Sequence, residues 1–193
     1  MAYIVGTPLS DAVFYGAGTS LTIPISGEAQ AGDYVFLDID HRYTSGFVAP
    51  TGYTATGYSA PGNLQQWYKK MGATPDTSLT LTTSDSMAWC LRIIRGAHPT
   101  NPIDAYAVNN SGTNVSSINS PSLTTNYDNS LVLSGREGTG NILLEGGLVH
   151  DAAAVESYRS GAIWGHFVQP SAGACPTITY QACSSGGAGN KWV

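Results

Sequence analysis

Apolar and polar residues alternate with a period of two along most of the chain, the spacing of half-buried β-strands. Leu21, Ile23 and Ile25 alternate with Thr22, Pro24 and Ser26. Pro24 cannot donate to a ladder, which assigns that strand to a sheet edge. Val35, Leu37 and Ile39 form one face of the next run, and residues 64–70, 79–83 and 87–94 continue the series. The 87–94 run is apolar on both faces, with Met87, Trp89, Leu91 and Ile93 on one and Ala88, Cys90 and Ile94 on the other. It therefore reads as a central strand. Residues 131–133, 141–144, 162–168 and 177–182 predict the later strands.

Turn signals separate these runs: Gly32-Asp33, Pro50-Thr51-Gly52, Pro61-Gly62-Asn63, Ser84-Asp85-Ser86 and Asn109-Asn110-Ser111-Gly112. Strands of about five residues with turns every 8–12 residues mark a sandwich or barrel. The expected fold is all-β, an antiparallel β-sandwich of jelly-roll-like or immunoglobulin-like type with at most one short helix. The helix candidate is residues 151–158, an Ala-rich stretch that Asp151 could cap. No linker divides the chain, so a single sandwich is expected over residues 19–169. Residues 1–18 read as an N-terminal arm, and 170–193 as a terminal strand or tail packing on the sandwich or a neighbour.

Composition narrows the function classes. Only 11% of the 193 residues are Asp, Glu, Lys or Arg, against about a quarter in ordinary globular chains. The residues from 43 to 68, 105 to 127 and 160 to 190 carry none of them. A net charge of −5 with 8 basic residues provides no electrostatic footprint for nucleic acid and no polybasic membrane-binding surface. With 42% hydrophobic residues the chain has the material to fold, unlike a disordered one. No apolar run approaches the roughly 18 residues that span a bilayer. The N-terminus shows no charged leader followed by an apolar stretch, and the expectation is synthesis in a reducing cytoplasm.

Candidate chemistry is sparse. Cys90 lies in an apolar run and reads as a buried packing thiol; Cys175 and Cys183 read as reduced. Asp38, Asp40 and His41 place two carboxylates on one strand face, opposite Leu37 and Ile39. Such a pair could hold a hard cation or do acid–base work, but a solvated strand face accounts for it. His150-Asp151 has the order of a base and its orienting group without a recognisable nucleophile elbow. His41, His98, His150 and His166 are too scattered for a metal-ligand spacing. Gly135-Arg136-Glu137-Gly138-Thr139-Gly140 lacks the Lys-Ser/Thr of a phosphate loop and reads as a hairpin connection. Asn109 and Asn114 match the glycosylation acceptor pattern and read as loop chemistry. No cofactor or metal is expected.

The aromatic residues carry more. Trp89 and Trp164 sit in apolar strands and read as core. Tyr43, Phe47, Tyr53 and Tyr58 lie in an uncharged loop-rich region, where aromatic surface is costly to leave in water. With Tyr3 and Tyr15 in the N-terminal arm and Trp192 in the tail, they are the expected partner contacts.

The order of motifs adds a resemblance. Gly32-Asp33 opens the strand 34–40, and Pro50-Thr51-Gly52-Tyr53 and Trp67-Tyr68-Lys69-Lys70 follow. Then come Thr77-Ser78-Leu79-Thr80-Leu81-Thr82, Ile93-Ile94-Arg95-Gly96-Ala97 and Pro102-Ile103-Asp104. Pro121-Ser122-Leu123-Thr124-Thr125, Asn129-Ser130-Leu131-Val132-Leu133 and Ile163-Trp164 complete the series. Over roughly residues 32–168 this resembles the β-sandwich domains of tailed-bacteriophage virion structural proteins, including capsid decoration (cement), tail and fibre proteins. The resemblance implies a non-enzymatic structural protein and brings no catalytic residues. It also implies contact with the major capsid protein or other virion proteins, residence in the virion, and homo-oligomers, threefold assembly being common among decoration proteins. The alternative is a tail or fibre protein with a carbohydrate-binding sandwich module. An enzyme acting on polysaccharide would need two carboxylates across a cleft, a pairing that the 13 acids do not display.

Overall fold

In the computed structural model the described residues are 1–13, 19–41, 48–59, 64–83, 87–114, 117–138, 142–145, 149–156, 160–182 and 187–192. Among them every regular element is a strand and every strand pairing is antiparallel. The first half of the chain provides β1 (Tyr3–Val13), β2 (Thr19–Pro24), β3 (Tyr34–His41), β4 (Thr54–Ser59), β5 (Leu64–Lys70), β6 (Ser78–Thr83) and β7 (Met87–Arg95). The second half provides β8 (Ala107–Asn114), β9 (Ser117–Asn119), β10 (Thr124–Thr125), β11 (Ser130–Gly138), β12 (Ile142–Glu145) and β13 (Val149–Glu156). It continues with β14 (Ser160–Gln169), β15 (Gly173–Ala174), β16 (Thr179–Ala182) and β17 (Gly187–Trp192).

Two five-stranded sheets form the centre, one ordered β1-β7-β3-β5-β4 and the other β13-β14-β11-β17-β8. The first packs on the β2-β6 pair through Ile23, Val35, Leu37, Ile39, Leu81 and Leu91. The second packs on the β12-β16-β9 sheet through Leu123, Val132, Ile178 and Tyr180. Between the two large sheets lies a third apolar cluster of Tyr34, Phe36, Ile94 and Leu133. The fold is thus a stack of sheets, sandwich-like at both ends, with a seam down the middle where β14 packs on β7 and β3, and β1 on β13.

Period two explains this stack. Odd-numbered residues of β3 and β7 face the β2-β6 layer, and even-numbered ones face the seam. β7 is interior to its sheet, buried from Met87 through Ile94, as its two apolar faces require. Among the described residues β2 pairs only with β6, ending at Pro24↔Ser78, which agrees with the edge position predicted from Pro24.

Several expectations are corrected. Residues 151–156 belong to β13 and pair with β14, so the Ala-rich stretch is a strand; a neighbouring ladder outweighs intrinsic helix preference here. Asn109 to Gly112 lie inside β8, paired with β17, and do not form a turn or loop. Gly135 to Gly138 lie inside β11, whose partners are β14 and β17. The chain passes from there to β12 in another sheet, so no hairpin joins them. Residues 3–13, read as part of an arm, form an edge strand on β7. Residues 187–192, within the segment read as a terminal strand or tail, form β17 between β11 and β8.

Candidate functional site

The even-numbered face of the first large sheet changes character along its length. At one end Tyr34, Phe36, Tyr68 and Ile94 are apolar, and Phe36 stacks on Tyr68 with ring centroids 5.6 Å apart. At the other end are Asp38, Asp40, Gln66 and Arg92, all buried. This corrects the solvated-face reading of Asp38 and Asp40: the face is covered by the second sheet. The side chain of His41 lies outside the described residues.

Arg92 is the centre of the polar end, and its side chain is 0% exposed. Its Nη1 donates to Asp38 Oδ2, across the ladder on β3. Its Nε donates to Asp151 Oδ2 at 2.7 Å, on β13 of the opposite sheet. The remaining Asp38 oxygen accepts from Gln66 Nε2 at 2.8 Å. The remaining Asp151 oxygen lies 2.5 Å from His166 Nδ1 on β14. Asp38 and Asp151 are 6% and 1% exposed at the side chain, while His166 is 20% exposed. The five side chains form one relay from the interior of the first sheet, across the seam, to the rim of the second.

Two bulges bring the relay together. In the β1–β7 register Val5 faces Ile93 and Leu9 faces Leu91, so Gly6, Thr7 and Pro8 share the space opposite Arg92. In the β13–β14 register His150 faces Gly165 and Ala152 faces Trp164, which leaves Asp151 as the extra residue. An extra residue twists its strand and re-aims a side chain; here it accompanies the turn of Asp151 toward Arg92. Gly6 has φ +67°, and a Cβ there would overlap the Glu28 carboxylate. Both bulges border a cleft of about 380 Å³ that also exposes His166.

Electrostatics fixes the protonation of the relay. Burial alone would raise the Asp151 carboxyl, but the His166 hydrogen bond and the Arg92 charge outweigh it and hold it below 3.8. As an ionised carboxylate Asp151 can only accept, so His166 Nδ1 carries the hydrogen. Burial also works against the Arg92 charge; the Asp38 and Asp151 carboxylates more than offset it and keep the guanidinium protonated. Cys90 is buried beside these groups, and burial pushes its thiol up to about 12, consistent with a packing role. Cys175 is a free thiol, and Cys183 lies outside the described residues.

The apolar end of the seam holds a cavity of about 220 Å³ whose walls include Phe36, Ile94, Ile103, Leu131 and Leu133. Met1 and Tyr127 also line it, and both are largely exposed. Asp104 takes two hydrogen bonds from Asn126, at 2.7 Å from the backbone N–H and 2.8 Å from Nδ2. That clasp ties the segment bearing exposed Tyr106 to the segment bearing Tyr127. Close packing secures the wall near the chain start: a Cβ on Gly96, which has φ +78°, would come within 2.5 Å of the Met1 carbonyl oxygen.

The expected contact residues fall in different places. Tyr3 is exposed on β1. Tyr53 is half-buried against the first core, its hydroxyl without a partner among the described residues and Lys69 Nζ 5.9 Å from its ring. Tyr58 is in β4 and Trp192 in β17, but their side chains lie outside the described residues, as do Tyr15, Tyr43 and Phe47 entirely. Trp89 and Trp164 are buried, as expected. His98 is exposed and accepts the Asn101 N–H at 3.1 Å; the side chain of His150 lies outside the described residues.

Sequence reasoning missed the relay and the cavity. One signal was present: Arg92 is the lone charge within the 87–94 run, which is apolar on both faces. A buried guanidinium needs carboxylate partners, and Asp38 was the candidate on the neighbouring strand. Asp151 and His166 carry no local signal, because a bulge and a second sheet place them. No protein-family model matches the chain, no curated protein matches it, and no solved structure matches it.

Proposed function

We propose that the chain is a non-enzymatic structural protein of a bacteriophage virion, a decoration or cement protein that binds and stabilises the assembled shell. The observation that supports this most directly is the patch at the apolar end of the seam. Met1, Tyr106 and Tyr127 are among the few large apolar side chains exposed on the described surface, and two of them border a cavity. Exposed aromatic side chains around a pocket anchor protein interfaces.

The deepest charges are paired within the molecule, Arg92 with Asp38 and Asp151. The two carboxylates at the cavity, Asp104 and Asp128, are held by the Asn126 amide and backbone N–H and by the Ala172 N–H. The partners proposed are the major capsid protein or another shell protein, and neighbouring copies of this chain in a homo-oligomer.

Co-sedimentation with particles that lack the protein tests the reading. Saturable binding that raises the particles' resistance to heat or chelators is the expected result. Failure to bind capsids, tails or complete particles would end the virion reading.

A further inference from the structure

We propose that the cleft at the polar end of the seam is a binding site for one neutral sugar residue of a glycan. The inference stands apart from the shell-binding reading, because what it predicts is the binding of a free saccharide.

The buried relay sets the chemistry that the cleft presents. Asp151 is an ionised acceptor with both oxygens engaged, one by Arg92 Nε at 2.7 Å and the other by His166 Nδ1 at 2.5 Å. In the neutral imidazole Nδ1 therefore keeps its hydrogen, and Nε2 is left as an acceptor on a side chain that lines the cleft. A ligand seated there must bring an O–H or N–H donor. Charge narrows the class further. Arg92 is 0% exposed, and Arg95 is held by both oxygens of Asp33, so neither is open to an anion. Asp151 is the one carboxylate among the described residues that line the cleft, and its engaged oxygens leave no counter-charge for a cation. A charged ligand would lose hydration without return, whereas a neutral one meets no such cost.

The walls supply the other half of the match. Ile4, Pro8, Leu131 and Val149 are apolar, and the exposed Tyr3 ring stands among them with its hydroxyl bonded to the Arg95 side chain. A pyranose ring has this same division, with hydroxyl donors around its edge and a C–H face that packs on apolar and aromatic surface. The cleft volume of about 380 Å³ lies at the low end of the range of about 300–1,000 Å³ for small-molecule sites. A peptide is the less favoured occupant. β1 is an edge strand, but its ladder is broken by the bulge at residues 6–8, and Pro8 has no N–H to pair with an added strand. The same bulge leaves Gly6 and Thr7 without ladder partners of their own on β7, so polar groups of the cleft wall stay open to a hydroxyl-rich ligand.

The test titrates the full chain with the methyl glycosides of glucose, galactose, mannose and N-acetylglucosamine at about pH 8, above the ordinary histidine range. Methyl resonances of Ile4, Leu131, Val149 and Val168 and the ring nitrogens of His166 report on the cleft. At least one glycoside should shift them saturably, with a dissociation constant on the order of 1 mM for a ligand of about a dozen non-hydrogen atoms. His166→Phe, which removes the acceptor, should abolish the response. Tyr3→Ala should weaken binding by about three- to tenfold; because Tyr3 is exposed, this variant keeps the test decisive if His166→Phe does not fold. The proposal is overturned if no glycoside moves the cleft resonances, or if folded Tyr3→Ala binds as the wild type does. Tighter binding of methyl glucuronide than of methyl glucoside would also overturn it, and so would a response confined to butylamine or N-acetylglycinamide, stand-ins for a lysine side chain and a peptide group. Sugar binding by a chain that binds no particle leaves this site standing and removes the shell reading; particle binding without sugar binding does the reverse.

Discussion

Replacing Arg92 with leucine tests whether the buried relay holds the two large sheets together. The substitution keeps an apolar stem only as far as Cδ and removes the guanidinium with its charge. Asp38 and Asp151 then lose the Arg92 guanidinium while keeping the donors Gln66 at 2.8 Å and His166 at 2.5 Å respectively. Removing one partner of a buried ion pair costs about 3–5 kcal/mol. The donors that survive on both carboxylates place Arg92→Leu at the low end, about 3 kcal/mol. With a urea slope of about 2 kcal/mol/M for a chain of this size, the unfolding midpoint should fall by about 1.5 M. Tryptophan fluorescence can follow it, because Trp89 and Trp164 are buried in the first and second large sheets respectively. The carboxylates, still buried but without the guanidinium, should bind protons more readily than in the wild type. The difference between wild type and variant is therefore full at neutral pH and shrinks as the pH falls through those raised values. A loss below about 1 kcal/mol, or one of constant size between pH 7 and the carboxylate range, would refute the argument that this is a desolvated, charge-dependent clamp.

Gly6→Ala should lower stability by about 1–2 kcal/mol, because φ +67° is unfavourable for an L side chain. Removing the overlapping carboxylate with Glu28→Ala should recover only part of the loss in a double-mutant thermal melt. For acid unfolding, burial would raise Asp33, but Arg95 and the Gln30 N–H outweigh it and hold its carboxyl below 3.8; Asp151 is held low as well. Both have depressed values in the fold, so their stabilisation is present above about 3.8 and disappears as the pH falls through the folded values. Asp33→Asn should accordingly flatten the pH dependence of the thermal midpoint below about pH 4, and an unchanged profile would count against the Arg95 pairing. Cys90, with its thiol pushed up to about 12, should stay unalkylated at pH 8 in peptide mapping of the native chain and react fully once urea unfolds it.

Most of the first half was legible in the sequence, and the reasons are local. β3, β5, β6 and β7 have clear two-residue periods, and β7 is interior because it is apolar on both faces. The later half was less legible. Asn109 to Gly112 have turn chemistry and Ala152 to Ala154 have helix chemistry, yet both stretches are strands. Their ladders with β17 and β14 supply hydrogen bonds that local preference cannot weigh. The site suffered for a further reason. Its residues come from β3, β5, β7, β13 and β14, and only the stacking of one sheet on another turns Asp38 from an outward-facing carboxylate into a buried one. Arg92, the one charge in the doubly apolar 87–94 run, was the readable part.

The order of the strands also has a consequence in time. β1 to β7 all belong to the first two layers and β8 to β17 to the others, so the ribosome delivers one complete sandwich before the next begins. Until then the face bearing Tyr34, Phe36, Ile94 and Arg92 is bare. The partner that arrives with Arg92 itself is Asp38 on the adjoining β3, where Gln66 of β5 donates to it. The nascent half thus carries its own counter-charge while it waits, and Asp151 and His166 arrive last, as the bolt that closes it.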